Sequence, residues 1–167
     1  VGGVDVGGVG GGAALGGGTG LAAACDICVA STAAVFATSE VRFGLIPATI
    51  GPYVLRAIGA RQAARYFLAA ERIDSRRAWE LGLVHELVEP EGLDARVREI
   101  VAALLAGGPQ AQAAAKDLIR AVAGRPLDDA LAEDTARRIA RLRATPEAKE
   151  GLGAFLEKRP PGWTGKP

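Results

Sequence analysis

Gly16-Gly17-Gly18, running into Thr19-Gly20-Leu21, is the stretch of this chain whose main chain is best suited to chemistry. Glycines let a ligand approach the backbone closely, and a helix that starts there leaves its first N–H groups without intrahelical partners. Such donors suit an anion, or an oxygen on which negative charge develops during a reaction. Two familiar phosphate motifs do not fit, because no Lys-Ser or Lys-Thr follows and the spacing is not a dinucleotide fingerprint. Tight packing of the helix against a neighbour accounts for the same glycines equally well.

Few side chains compete for a chemical role. Cys25 and Cys28 form a C-x-x-C, which is a redox pair, half of a zinc site, or two thiols packed as small apolar groups. No second ligand pair accompanies it, and the apolar runs on either side favour packing, so no metal is expected. His85 is the one histidine. It lies in Leu83-Val84-His85-Glu86-Leu87-Val88, which alternates like a strand and puts His85 on the polar face rather than in a Ser-His-Asp triad. Asp26, between an apolar helix and an apolar strand, reads as a structural hydrogen-bond acceptor. By its residues alone, Glu40 reads as a solvated carboxylate at a strand end, paired with Arg42.

The elements that must position these groups come from an ordinary globular composition. At 167 residues and 49% apolar, the chain can bury a real core. Its 20 Lys+Arg nearly balance 19 Asp+Glu, and only 5% of residues are aromatic. Neither a phosphate-neutralising surface nor a base-stacking platform is expected, so nucleic acid is excluded as a partner. No uncharged apolar run approaches a membrane span of about 18 residues. The glycine-rich start lacks the basic residues and cleavage site of a signal peptide, and a cytoplasmic protein is expected. With no methionine, the chain opens on Val1, which implies an unusual start codon or a fragment.

Residues 1–12 are too loose in pattern to read as a strand. Leu21–Ala24 is helical, Ile27–Ser31 a short buried strand and Val35–Glu40 a second extended piece. Pro47 and Gly51-Pro52 punctuate a loop, followed by a short helix at Tyr53–Ile58. A longer helix covers Ala60–Ala70, with Ala64, Phe67 and Leu68 at core spacing. Ser75–Leu81 is a helix stopped by Gly82, and Leu83–Val88 a strand. Beyond Pro90 only helical patterns occur, at Leu93–Leu105, Gln110–Ala123, Leu127–Arg143 and Pro146–Lys158. The boundary between the mixed front and the helical back is placed near Gly107.

Gly12-Ala13-Ala14-Leu15-Gly16-Gly17-Gly18-Thr19-Gly20-Leu21-Ala22-Ala23-Ala24-Cys25-Asp26-Ile27 resembles a signature of the enoyl-CoA hydratase/isomerase (crotonase) family. So does Phe36-Ala37-Thr38-Ser39-Glu40-Val41-Arg42-Phe43-Gly44-Leu45-Ile46-Pro47 behind it. Ala69–Asp74, Ala78–Val84 and the closing Phe155–Pro161 are similar to the same family. The resemblance implies an α/β fold, a crotonase-like spiral of strand–strand–helix repeats. Residues 1–106 would form a partial spiral core and residues 107–167 an all-helical oligomerisation region, giving a homotrimer or a dimer of trimers. The family's front portion has no counterpart before Gly12, so an N-terminally truncated chain is expected.

By the same resemblance, Gly17 is one of two backbone donors that stabilise a CoA-thioester enolate, the other lying in the absent segment. Glu40 falls on a catalytic acid–base glutamate. Gly16, Gly18, Gly20 and Pro47 line the substrate, and Phe155 and Lys158 on the last helix reach a neighbour's CoA. No metal or redox cofactor is implied, since coenzyme A is part of the acyl-CoA substrate. Many hydratases of the family have a second glutamate where Gly20 stands, whereas a bacterial branch of methylglutaconyl-CoA and carboxygeranoyl-CoA hydratases has glycine. Glycine there would make room for a branched substrate whose second carboxylate meets Arg42, Arg56 or Arg65. The expected activity is hydration of a 2-enoyl-CoA. A single-glutamate enoyl-CoA isomerase and a non-catalytic assembly protein are the alternatives.

Overall fold

The computed structural model describes residues 3–164 in two compact units, Asp5–Ile100 and residues 101–164 with Gly3 and Val4. The first unit is wound so that each turn lays one strand into each of two sheets. Strands β1 (Val6–Val9) and β2 (Gly12–Leu15) lead into helix α1 (Gly17–Ala24). Strands β3 (Ile27–Ser31) and β4 (Ala34–Ala37) lead, through a 3-10 turn at Glu40–Phe43, into helix α2 (Gly51–Ala69). The next turn supplies β5 (Ile73–Asp74), α3 (Ser75–Glu80) and β6 (Glu86–Val88). One sheet has the order β1-β3-β6 and is parallel throughout. The other has the order β2-β4-β5, with β2 and β4 parallel and β5 antiparallel. This winding is the expected spiral of strand–strand–helix repeats.

The burial follows the topology. Cys28, Val29, Ala30 and Ser31 of β3 are all buried, as in a parallel strand covered on both faces. Phe36, Val54, Ile73, Leu83 and Val84 complete the core of this unit.

Several elements depart from the sequence reading. A strand forms at Val6–Val9 within the loose glycine segment, because the parallel ladder to β3 supplies the order that side-chain pattern lacks. Glycine suits that strand: a Cβ on Gly7 would meet Cys25 Sγ at 2.6 Å. The two helices expected at Tyr53–Ile58 and Ala60–Ala70 do form, as the two halves of α2 on either side of a non-helical Gly59 at φ 75°, ψ 158°. The core face of α2 is carried by Val54, Ile58, Ala63 and Tyr66 rather than by Ala64 and Leu68, and Leu68 is 78% exposed. The strand expected from Leu83 begins only at Glu86, because Leu83 and Val84 turn inward with both N–H groups on Ala78 O. The extended piece expected to reach Glu40 ends at Ala37.

Helix α4 (Leu93–Leu105) closes the first unit and opens the second, which continues with α5 (Pro109–Val122), α6 (Asp129–Arg143) and α7 (Pro146–Leu156). Local chemistry sets the ends. Asp128 accepts a hydrogen bond from Leu131 N, and Thr145 accepts one from Ala148 N ahead of Pro146 at the first helical position. Among the described residues no helix is long and apolar enough to cross a membrane.

Candidate active site

Strands β2 and β4 are parallel with Leu15 opposite Ala37, so both chains leave the sheet at the same end. One exit is Gly16-Gly17 and the other Thr38-Ser39-Glu40, and this common end brings the two together. Gly16 N donates to Ala37 O (2.8 Å), closing the last rung before the paths diverge. Gly16 then takes φ 49°, ψ −112°, a conformation that side chains of L-residues disfavour, and turns the chain into α1.

Helix α1 has no side-chain cap at its start, and Gly20 N to Gly16 O is its first turn's bond (3.1 Å). The N–H groups of Gly17 and Gly18 therefore stand at the open, positive end of the helix. Among the described residues, no neighbour lies within 4 Å of where a Cβ on Gly17 would project.

Glu40 begins the 3-10 turn after β4, with Leu45 N on its carbonyl (3.1 Å). Its carboxylate folds back against the glycine turn: a Cβ on Gly16 would lie 3.3 Å from Glu40 Oε1. The other oxygen, Oε2, is buried and has no hydrogen-bond partner among the described residues. The solvated carboxylate paired with Arg42 that the bare residues suggested is not what forms. Arg42 Nη2 donates instead to Ala70 O (3.0 Å), at the end of α2. A buried acceptor left unsatisfied is costly and uncommon, and at an open helix start it marks a place for a hydrogen-bond donor from outside the chain.

The remaining residues singled out by sequence separate clearly. Gly18 sits in the first turn of α1, with Ala14 Cβ 3.5 Å from where its own Cβ would be. Gly20 is buried and leaves no vacant room, because Ile50 fills it: a Cβ there would meet Ile50 Cγ2 at 2.1 Å. The expected space for a substrate branch at this position is thus occupied by the chain itself. Pro47 is buried and accepts a hydrogen bond from Gly51 N (2.7 Å), which starts α2. Arg65 is held by Glu71 (2.7 Å), while Arg56 is exposed on α2. Phe155, 79% exposed, and Lys158, exposed with φ 53°, belong to the helical unit.

Asp26 Oδ2 accepts from Asp5 N (2.9 Å), the structural role expected of it. Cys28 is fully buried, and burial, with Cys25 beside it, pushes its thiol up to about 11. His85 Nδ1 accepts from Cys28 N (3.0 Å), which ties β3 to the approach of β6.

Sequence reasoning missed two hydroxyls. Thr19 Oγ1, fully buried, reaches Ala14 O (2.5 Å) and Ala37 O (3.0 Å) and accepts from Ala37 N (3.2 Å). Thr38 Oγ1, also buried, donates to Tyr66 O (3.0 Å). A lone hydroxyl in a helix otherwise built of Gly, Leu and Ala was the available signal for Thr19.

The winding and the glycine-led helix start define a crotonase-type fold, and comparison with known proteins agrees. The family model for enoyl-CoA hydratase/isomerase matches residues 9–166, and the chain belongs to this family. A crystal structure of an enoyl-CoA hydratase from Shewanella pealeana is 44% identical, with a TM-score of 0.89, covering 95% of this chain and 58% of that one. The crotonyl-CoA hydratase of Syntrophomonas wolfei is 35% identical over 89% of this chain and 57% of its own. The trans-2-decenoyl-(acyl-carrier-protein) isomerase of Streptococcus mutans is 32% identical over 93% of this chain and 59% of its own. The chain thus spans about three fifths of the length of the curated relatives it matches.

Proposed function

We propose that this chain carries the acid–base side of an enoyl-CoA hydratase site, which adds water across the conjugated double bond of a 2-enoyl-CoA thioester. The observation that carries this reading is Glu40: a carboxylate with one buried oxygen that has no partner among the described residues, held against the glycine turn from which α1 starts. In this reading Gly17 N–H donates to the thioester oxygen as negative charge develops on it. Glu40 takes a proton from the attacking water as the new C–O bond forms at the β-carbon, and returns a proton to the α-carbon. Charge and atoms balance with no metal or redox group, coenzyme A being carried by the substrate. A homotrimer or dimer of trimers in the cytoplasm is part of the same proposal.

Hydration removes the conjugated enoyl-thioester absorbance, so loss of that absorbance with crotonyl-CoA is the expected result. Glu40→Gln keeps the shape and removes the base, and is expected to lower kcat by about a hundredfold to ten-thousandfold. Near-normal turnover in that variant would remove Glu40 from the role. A branched, carboxylated substrate such as methylglutaconyl-CoA is the finer form of the proposal. With Arg42 and Arg65 engaged elsewhere, Arg56 is the partner left to test for its distal carboxylate.

One observation favours a second reading, the shift of a double bond by an enoyl-CoA isomerase. Ile50 occupies the space at Gly20, so the site offers Glu40 as a single carboxylate, which suits moving one proton between two carbons. A 3-enoyl thioester that gains conjugated absorbance would select this reading. No change with either substrate, in a chain that still assembles, would leave a binding or assembly role.

A further inference from the structure

Thr19 offers no side chain to a substrate, since it is fully buried, yet its hydroxyl lies between the two paths that make the site. It reaches Ala14 O on β2 and both the carbonyl and the N–H of Ala37 on β4. Ala37 O also receives Gly16 N (2.8 Å), so the hydroxyl and the glycine turn share one anchor. Past this point the β2–β4 ladder has no further rung, and the hydroxyl supplies one. Thr19 lies in the first turn of α1 with Gly17, and Ala37 lies just ahead of Thr38, Ser39 and Glu40.

We propose that Thr19 is a positioning residue that sets the distance between the Gly17 N–H and the Glu40 carboxylate. This rests on the acid–base reading above. The physical reason is that α1 has no side-chain cap at its start and opens on glycines, so little else fixes where its first N–H groups point. On the other side Thr38 Oγ1 bonds to Tyr66 O, which keeps the Glu40 arm in place when the first arm moves. A lost hydroxyl would therefore shift one arm against the other, and small misplacements of reacting groups are costly to rate.

Thr19→Val keeps the shape and removes the hydroxyl; Thr19→Ser keeps the hydroxyl. With the chain as it stands, Val is expected to lower kcat about tenfold or more with KM little changed, and Ser to restore most of it. Amide chemical shifts of Gly16 and Gly17, together with the Glu40 carboxyl shift, are expected to move in Val and return in Ser. Wild-type kcat in a folded Val variant, or a Ser variant as slow as Val, overturns the proposal. If Val does not fold, Thr19→Cys, a weaker partner of similar size, is expected to fall partway, and an unchanged kcat overturns the proposal. If the wild type turns over no enoyl thioester, or Glu40→Gln is as fast as wild type, the functional reading fails instead. The Thr19 role is then decided by the shifts of Gly16, Gly17 and Glu40 alone, and unmoved shifts in Val refute it.

Discussion

Ile50 stands over Gly20 so closely that a Cβ on Gly20 would lie 2.1 Å from Ile50 Cγ2 and 2.6 Å from its Cβ. The contact is with the branch of a β-branched side chain, which cannot swing away as a long flexible one would. Gly20→Ala is expected to destabilise the chain by about 1–3 kcal/mol through overpacking, outweighing the gain of up to about 1 kcal/mol in helix propensity. In denaturant unfolding, the pair Gly20→Ala and Ile50→Ala should show positive coupling, the double variant being more stable than the sum of the two losses. Strict additivity would mean the two residues do not share this space.

Gly16 and Gly17 are neighbours with opposite tolerance. Gly16 takes φ 49°, ψ −112° with Glu40 Oε1 3.3 Å from an added Cβ, whereas Gly17 has open space there. Gly16→Ala is expected to cost about 1–3 kcal/mol in backbone strain and to displace Glu40, lowering turnover as well. Gly17→Ala should unfold within about 0.5 kcal/mol of wild type, as surface changes away from special features do. Equal losses in the two variants would contradict this assignment.

Acid stability should depend on Glu150 in the helical unit. Its carboxylate is held down to about 2 by the Arg159 guanidinium (2.7 and 3.0 Å), and then by Gly162 N–H (2.9 Å). Because the folded form binds the proton less readily than the unfolded chain, the contribution is complete above about pH 4.5. It is lost as pH falls toward about 2. Glu150→Gln should therefore lose less stability than wild type when the unfolding midpoint is followed from pH 5 to pH 2.5. The difference should shrink at high salt, since both side chains are partly exposed. Parallel acid profiles would refute this.

The Cys28 thiol, raised to about 11 by burial and by Cys25, is expected to resist iodoacetamide at pH 8 in the folded chain and to react once unfolded. Mass-spectrometric mapping of the modified site checks this. Fast modification of Cys28 under native conditions would mean that β3 opens readily.

Much of this architecture was legible in the residues. The helical back of the chain followed from apolar spacing, although the helix expected from Leu127 begins only at Asp129, where the Asp128 side chain accepts from Leu131 N. The glycine run pointed to an exposed helix start for an equally local reason. Where local pattern was silent or ambiguous, the reading strayed. β1 exists only through pairing with β3, and beyond Gly59 the buried face of α2 falls on Ala63 and Tyr66 rather than on Ala64 and Leu68.

The site divides along the same line. Residue order alone determined that a helix with bare N–H groups begins at Gly16-Gly17-Gly18, and that a carboxylate follows β4 at Glu40. Only the tertiary structure decided that these belong together, because strands β2 and β4 run parallel and end in register. It also decided that Glu40 turns away from Arg42 toward Gly16, and that Ile50 rather than open space faces Gly20. Those outcomes rest on contacts between residues far apart in the chain, and no periodicity or local propensity records them.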